Sequence, residues 1–146
     1  MTATVVNNQV QITVENYREQ LDVPTISTID NFIADNHYIN DMIDFINEHG
    51  AANFFNYYED YVEQGEEYSY DAVDAFVDEF GIENVQYFQD AYNGEYSSEE
   101  QFAEQFVNDI YGEVPAYLVV DWTATWEQNL QYDFAINNGF VFNKNF

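Results

Sequence analysis

Apolar positions change period twice along the chain. In the first 22 residues, Val10, Ile12 and Val14 alternate with Gln9, Gln11 and Thr13, the two-residue period of a strand. Asn7-Asn8 can turn this strand back onto Thr4 to Val6 as a short hairpin. The stretch from Asp22 to Thr25, with Pro24 inside it, reads as a linker. From Ser27 the period becomes helical. Ser27 or Thr28 can cap a short helix carrying Ile29, Phe32 and Ile33. Ile39, Met42, Ile43 and Ile46 form the next stripe, stopped by Gly50. Phe54, Phe55, Tyr58, Tyr61 and Val62 form another that ends at Gly65, and Val73, Phe76, Val77 and Phe80 a further one closed by Gly81. Val85, Phe88 and Tyr92 predict a helix ending at Gly94. Ser97 with Glu100 matches a capping box, in which the two side chains satisfy orphan amide donors. The helix it opens carries Phe102, Phe106, Val107 and Ile110 on one face and ends at Gly112. Asp121 can cap a helix bearing Trp122, Trp126 and Leu130. Alternation then returns in Phe134 and Ile136, and in Phe140 and Phe142, around the hairpin signal Asn137-Asn138-Gly139. This order predicts an α+β chain. Its expected parts are an N-terminal strand-like segment and linker over residues 1–26, an acidic helical domain over 27–94, and a C-terminal α+β domain with a terminal hairpin over 95–146.

The polar positions change the picture. Of 146 residues, 28 are Asp or Glu and only Arg18 and Lys144 are basic, a formal net charge of -26. That balance excludes nucleic-acid binding through a basic surface and argues against docking to an anionic membrane. Disorder couples high charge to few aromatics, whereas this chain has 13 Tyr, 13 Phe and 2 Trp. It therefore reads as a folded domain with an anionic surface. Cysteine is absent, which removes disulfides, thiolate metal sites and a Cys nucleophile. Met1 to Val14 lacks the charged and apolar regions of a signal peptide, and no run approaches the ~18 apolar residues of a membrane span. The expected location is cytoplasmic.

Unbalanced charge has a cost, because it repels itself and destabilises the compact state. Residues 59–113 hold 17 carboxylates and no Lys or Arg. They are Glu59, Asp60, Glu63, Glu66, Glu67, Asp71, Asp74, Asp78, Glu79, Glu83, Asp90, Glu95, Glu99, Glu100, Glu104, Asp109 and Glu113. They fall on the helix faces that the apolar stripes leave free. Like charges one turn apart lie ~5–6 Å from each other and cost a few tenths of a kcal/mol per pair. A compact chain of this length has a radius of gyration near ~15 Å and a diameter of roughly 40 Å. About 40 Å of duplex DNA, at one charge per ~1.7 Å, carries roughly two dozen charges, against the chain's excess of 26. Two readings follow: a surface that stands in for duplex DNA, or a halophilic acidic domain of unrelated function, solvated in high salt.

Several runs carry a family resemblance. They are Ala91-Tyr92-Asn93-Gly94-Glu95-Tyr96-Ser97-Ser98-Glu99-Glu100-Gln101-Phe102-Ala103-Glu104-Gln105, then Asp109-Ile110-Tyr111, Pro115, Val120-Asp121-Trp122, Asp133-Phe134 and Phe140-Val141-Phe142. Together they resemble the ArdA antirestriction proteins, DNA mimics of phages and mobile elements. The likeness covers residues 40–146, the family's middle and C-terminal domains; residues 1–40 are unlike its N-terminal domain and shorter. The resemblance implies a homodimer that occupies the DNA groove of a type I restriction-modification enzyme in a bacterial cytoplasm. It places the contact between subunits in the C-terminal domain, here on Trp126, Leu130, Phe134, Ile136, Phe140 and Phe142. A mimic aimed at a nucleoid protein or a CRISPR effector is the alternative target.

Other chemistry has little support. With 28 acids, proximity of two carboxylates arises by chance and does not signal a glycosidase. His37 and His49 sit in no metal or catalytic motif and read as helix-end or surface residues. Asp90 to Glu95 fails the spacing of an EF-hand loop. No catalytic residue, metal site or cofactor is expected, and the chain is read as a non-enzymatic binding protein.

Overall fold

The computed structural model describes residues 4–6 and 9–146, with side chains from residue 11 onward. The expected Asn7-Asn8 turn lies outside the described residues. The class is α+β: helices dominate, and a three-stranded antiparallel sheet is completed by the end of the chain. The chain divides into two compact units, residues 1–62 and 63–146.

In the first unit, β1 (Thr4–Val6) pairs antiparallel with β2 (Gln9–Gln11), Thr4 opposite Gln11. The strand period does not continue to Val14. Ile12 has its backbone N–H and C=O taken by the Asn47 side chain, at 2.8 and 2.7 Å, in place of a neighbouring strand. A turn at the buried Asn16, whose Oδ1 accepts from the Thr13 amide at 2.6 Å, leads into α1 (Tyr17–Gln20). The expected linker at Asp22 to Thr25 is instead the start of α2 (Val23–Ala34). Asp22 caps it by accepting from the Thr25 amide at 2.9 Å, and Pro24 sits in the first turn, where its missing N–H costs nothing. The Ser27 or Thr28 cap is thereby displaced into the helix. α3 (Ile39–His49) runs to Gly50, which caps it at φ +94°. α4 (Ala51–Glu67) crosses the division between the units. The first core gathers Ile29, Met42, Ile43, Phe45, Ile46, Phe54 and Tyr58, all buried. Phe45 lies 5.1 Å from Tyr58 and 6.2 Å from Phe54, edge-on to both, the favoured geometry for ring quadrupoles.

In the second unit, Gly65 lies inside α4 and does not end it. A Cβ there would stand 2.4 Å from the Tyr70 ring, so the residue is small for packing. α5 (Tyr70–Phe80) is capped by the Ser69 hydroxyl and stopped at Gly81. The helix expected from Val85 to Gly94 is broken into a 3₁₀ segment (Ile82–Tyr87), a single turn α6 (Phe88–Ala91) and a strand β3 (Tyr92–Glu95). Gly94 takes φ +101° within that strand, a conformation that glycine reaches without strain. α7 (Glu99–Tyr111) begins one residue later than the expected box. The Ser98 hydroxyl oxygen accepts from the Gln101 amide at 3.0 Å, and Gln101 Oε1 accepts from the Ser97 amide at 2.6 Å. Gln101 therefore fills the role expected of Glu100. α8 (Trp122–Gln128) is capped by Asp121 as the sequence predicts and passes into a 3₁₀ turn (Leu130–Tyr132).

The hairpin β4 (Phe134–Asn137) and β5 (Phe140–Asn143) closes at Asn138-Gly139, with φ values of +53° and +86°. Asn137 pairs with Phe140 across this two-residue turn. Strand order is β3-β5-β4, so a domain boundary at residue 94 would cut through an edge strand. β5 is central and buried on both faces, as shown by Phe140, Val141 and Phe142. Phe142 packs 5.3 Å from Phe76 and 6.0 Å from Phe88. Val141 joins Phe102, Ala103, Trp126 and Leu130, with Phe134 and Ile136 against them.

Candidate functional site

The carboxylates of residues 59–113 follow from the helix faces just described. On α5 the buried stripe of Ala72, Val73, Phe76 and Val77 leaves Asp71, Asp74, Asp78 and Glu79 exposed. On α7 the burial of Phe102 and Ala103 turns Glu99, Glu100, Glu104 and Asp109 outward. On α4, Glu59, Glu63, Glu66 and Glu67 are exposed and Asp60 is half-buried. Glu83, Asp90, Glu95 and Glu113, on the 3₁₀ segment, α6, β3 and the loop after α7, are exposed as well. Of the 17, Glu59 and Asp60 belong to the first unit and the rest to the second.

Several of these carboxylates are held by neutral donors. Asp78 Oδ2 accepts from Asn137 Nδ2 at 3.0 Å, Asp109 Oδ1 from Gln105 Nε2 at 2.8 Å, and Glu100 Oε1 from the Thr123 hydroxyl at 3.0 Å. A neutral donor orients a carboxylate and leaves its charge in place. The Glu100 carboxyl is held below its ordinary value first by its own backbone amide and then by Thr123, which keeps it ionised. Burial, followed by the nearby Glu95 and Tyr96, pushes the Tyr92 hydroxyl upward, so that it adds no charge at neutral pH. Lys144, the second unit's one Lys or Arg, donates to the Gln131 carbonyl at 2.8 Å. In the first unit, by contrast, Arg18 forms an exposed ion pair with Asp30 at 2.8 Å.

The acids are spread out. Among the described residues, no three His, Asp or Glu side chains converge to hold a metal ion. His37 packs edge-on against Phe32 at 5.1 Å, and His49 ends α3 beside Phe45 at 4.6 Å. Among the described residues, no helix is long and apolar enough to cross a membrane.

The six residues expected at a contact between copies are employed within the chain. Trp126, Leu130, Phe140 and Phe142 are buried, and Phe134 and Ile136 are half-buried against α7 and α8. Within the chain the hairpin packs against β3, α5, α7 and α8. What sequence reasoning passed over is the loop between α7 and α8. Tyr117, Leu118 and Val119 are exposed there, and Val119 is 100% exposed. The signal was an apolar run, Tyr117 to Val120, outside either predicted helix.

No family model, curated protein or solved structure matches the chain.

Proposed function

We propose that this protein is a non-enzymatic DNA mimic of the antirestriction type, which occupies the DNA-binding groove of a type I restriction-modification enzyme in a bacterial cytoplasm. The observation that carries the reading is the carboxylate array of residues 63–113: exposed and dispersed over α4, α5, α6, β3 and α7, with Asp78, Glu100 and Asp109 oriented by neutral hydrogen-bond donors. A groove built to neutralise phosphates presents Lys and Arg at fixed spacing. A dispersed array satisfies such a groove, whereas a convergent cluster would act as a chelator. The aromatic cores give the array a stiff support against its own repulsion. The electrostatics are supplied by one chain, with no contribution required from a second.

The test is competition. Labelled duplex is bound to a type I methyltransferase core and the protein is titrated in. Displacement is expected, and it should weaken as salt rises, with a shallower slope than DNA itself shows, because fixed carboxylates condense fewer counterions than phosphates. Single Asp→Asn or Glu→Gln changes should each cost at most about fivefold in affinity. A single change that abolished displacement with the fold intact would point to a discrete site and contradict the distributed reading.

A further inference from the structure

A mimic that worked by charge alone would have no reason to cluster exposed apolar side chains; in the second unit other exposed rings such as Tyr87 and Tyr132 are scattered singly, but one segment gathers several. Ile110, Tyr111, Tyr117, Leu118 and Val119 fall within ten consecutive positions and are 55%, 80%, 85%, 53% and 100% exposed. Loops ordinarily carry Gly, Pro and short polar residues, which answer the needs of turns. Here the turn is closed by the Leu118 amide donating to the Pro115 carbonyl at 3.0 Å; it carries Tyr117 and Leu118, and the β-branched Val119 and Val120 follow. Elsewhere the same unit buries such residues thoroughly, as with Phe76, Phe88 and Phe142. Contiguous exposed apolar surface with a polar rim marks an interaction site.

We infer that the loop from Tyr117 to Val119 is an apolar anchor that seats in the target's DNA groove beside the ionic contacts made by the carboxylates; this rests on the mimic reading above. The rim selects the occupant. Asp109, Glu113 and Asp121 flank the segment and are all exposed, and no Lys or Arg occurs between residues 19 and 143. A second copy would bring the same acids against them. A groove lined by Lys and Arg complements them. Proteins that read duplex also carry apolar groups there, for thymine methyls or as wedges between base steps. Tyr117, Leu118 and Val119 offer those groups an apolar counterpart within a charged contact.

The test uses the full chain with Tyr117→Ser, Leu118→Ser and Val119→Ser combined, titrated against labelled duplex on a type I methyltransferase core at several salt concentrations. Because the three side chains are exposed, the melting temperature should be unchanged. Affinity should fall by about ten- to a hundredfold, with the salt slope unaltered, since no charge has been removed. Wild-type affinity in the triple variant would overturn the anchor and leave the mimic standing. A wild type that displaces no duplex at any salt would overturn the mimic and the anchor together. Sedimentation at the assay concentration closes the remaining route: a wild type that self-associates, and that the triple variant returns to single chains, would reassign the segment to a contact between copies.

Discussion

The two units solve the problem of acidity differently. Residues 1–62 hold ten of the 28 acids and Arg18, a formal -9; residues 63–146 hold 18 and Lys144, a formal -17. The first unit places its one guanidinium against a carboxylate, Asp30; each unit also spends one Asp, Asp22 or Asp121, on a helix cap. The second directs its lysine to a carbonyl and holds carboxylates with Asn137, Gln105 and Thr123. Acidity needed for solubility alone would not require carboxylates to be aligned by neutral side chains. The difference teaches that orienting a charge and neutralising it are separate operations: the Arg18–Asp30 pair does the second, and Asn137, Gln105 and Thr123 do the first.

The comparison can be broken most severely through the cores. Phe142→Ala removes a fully buried ring from the central strand and should cost about 3–5 kcal/mol. Phe54→Ala should cost the first unit a similar amount, since that ring is also fully buried. Both tryptophans, Trp122 and Trp126, lie in the second unit, so their fluorescence reports that unit alone. In urea titrations, Phe142→Ala should lower the fluorescence midpoint. Phe54→Ala should act mainly on the far-ultraviolet circular dichroism, and an equal shift of fluorescence by Phe54→Ala would show that the units do not unfold independently.

A smaller effect tests a misread position. Gly65→Ala in an open helix would gain up to about 1 kcal/mol. Here the new methyl meets the Tyr70 ring at 2.4 Å, so a net loss of about 1–3 kcal/mol is expected from overpacking. In a Tyr70→Ala background the same change should become neutral or stabilising, and thermal melts of the four proteins measure the coupling.

That glycine illustrates where sequence reading failed. Periodicity located α3, α5 and α7, whose apolar stripes are each followed by a glycine, α8 through its Asp121 cap, and the terminal hairpin through its central Asn-Gly. It also placed the carboxylates outward, since a residue off the stripe of a one-sided helix has nowhere else to go. It misread Gly65 and Gly94 because a glycine looks alike whether it ends a helix, yields space to a ring or bends a strand. It missed β3 because Tyr92–Glu95 is only four residues, and what makes it a strand is pairing with β5, more than 40 positions away. It missed that β3 and α5 also pack against the hairpin, for the same reason.

The smallest expected effect is one of pH. In the folded chain the Asp22 and Glu100 carboxyls lie below their ordinary values of 3.8 and 4.5, Asp22 through the Thr25 side chain and amide, Glu100 through its own amide and Thr123. A depressed carboxyl stabilises the fold fully above its unfolded value, and that contribution is lost as pH falls through the folded value. Glu100→Gln should therefore lower the melting temperature slightly at pH 7 and converge with wild type in acid. Both carboxyls are exposed, so salt should shrink the difference as well.

The central claim, that the second unit's carboxylates stand in for duplex, is tested most directly by neutralising matched sets. One variant carries amides at Glu66, Glu67, Asp71, Glu79, Glu99 and Glu104; the other at Glu15, Glu19, Asp35, Asp41, Asp44 and Glu48; all twelve are exposed. Each removes six charges from the same chain. The measurement is the salt dependence of duplex displacement from a type I methyltransferase core. The account predicts weak displacement with a flattened salt slope for the second-unit variant, and near wild-type behaviour for the first-unit variant. Equal losses from both sets would contradict it, because they would make net charge, and not the placement of carboxylates on residues 63–113, the property that the target reads.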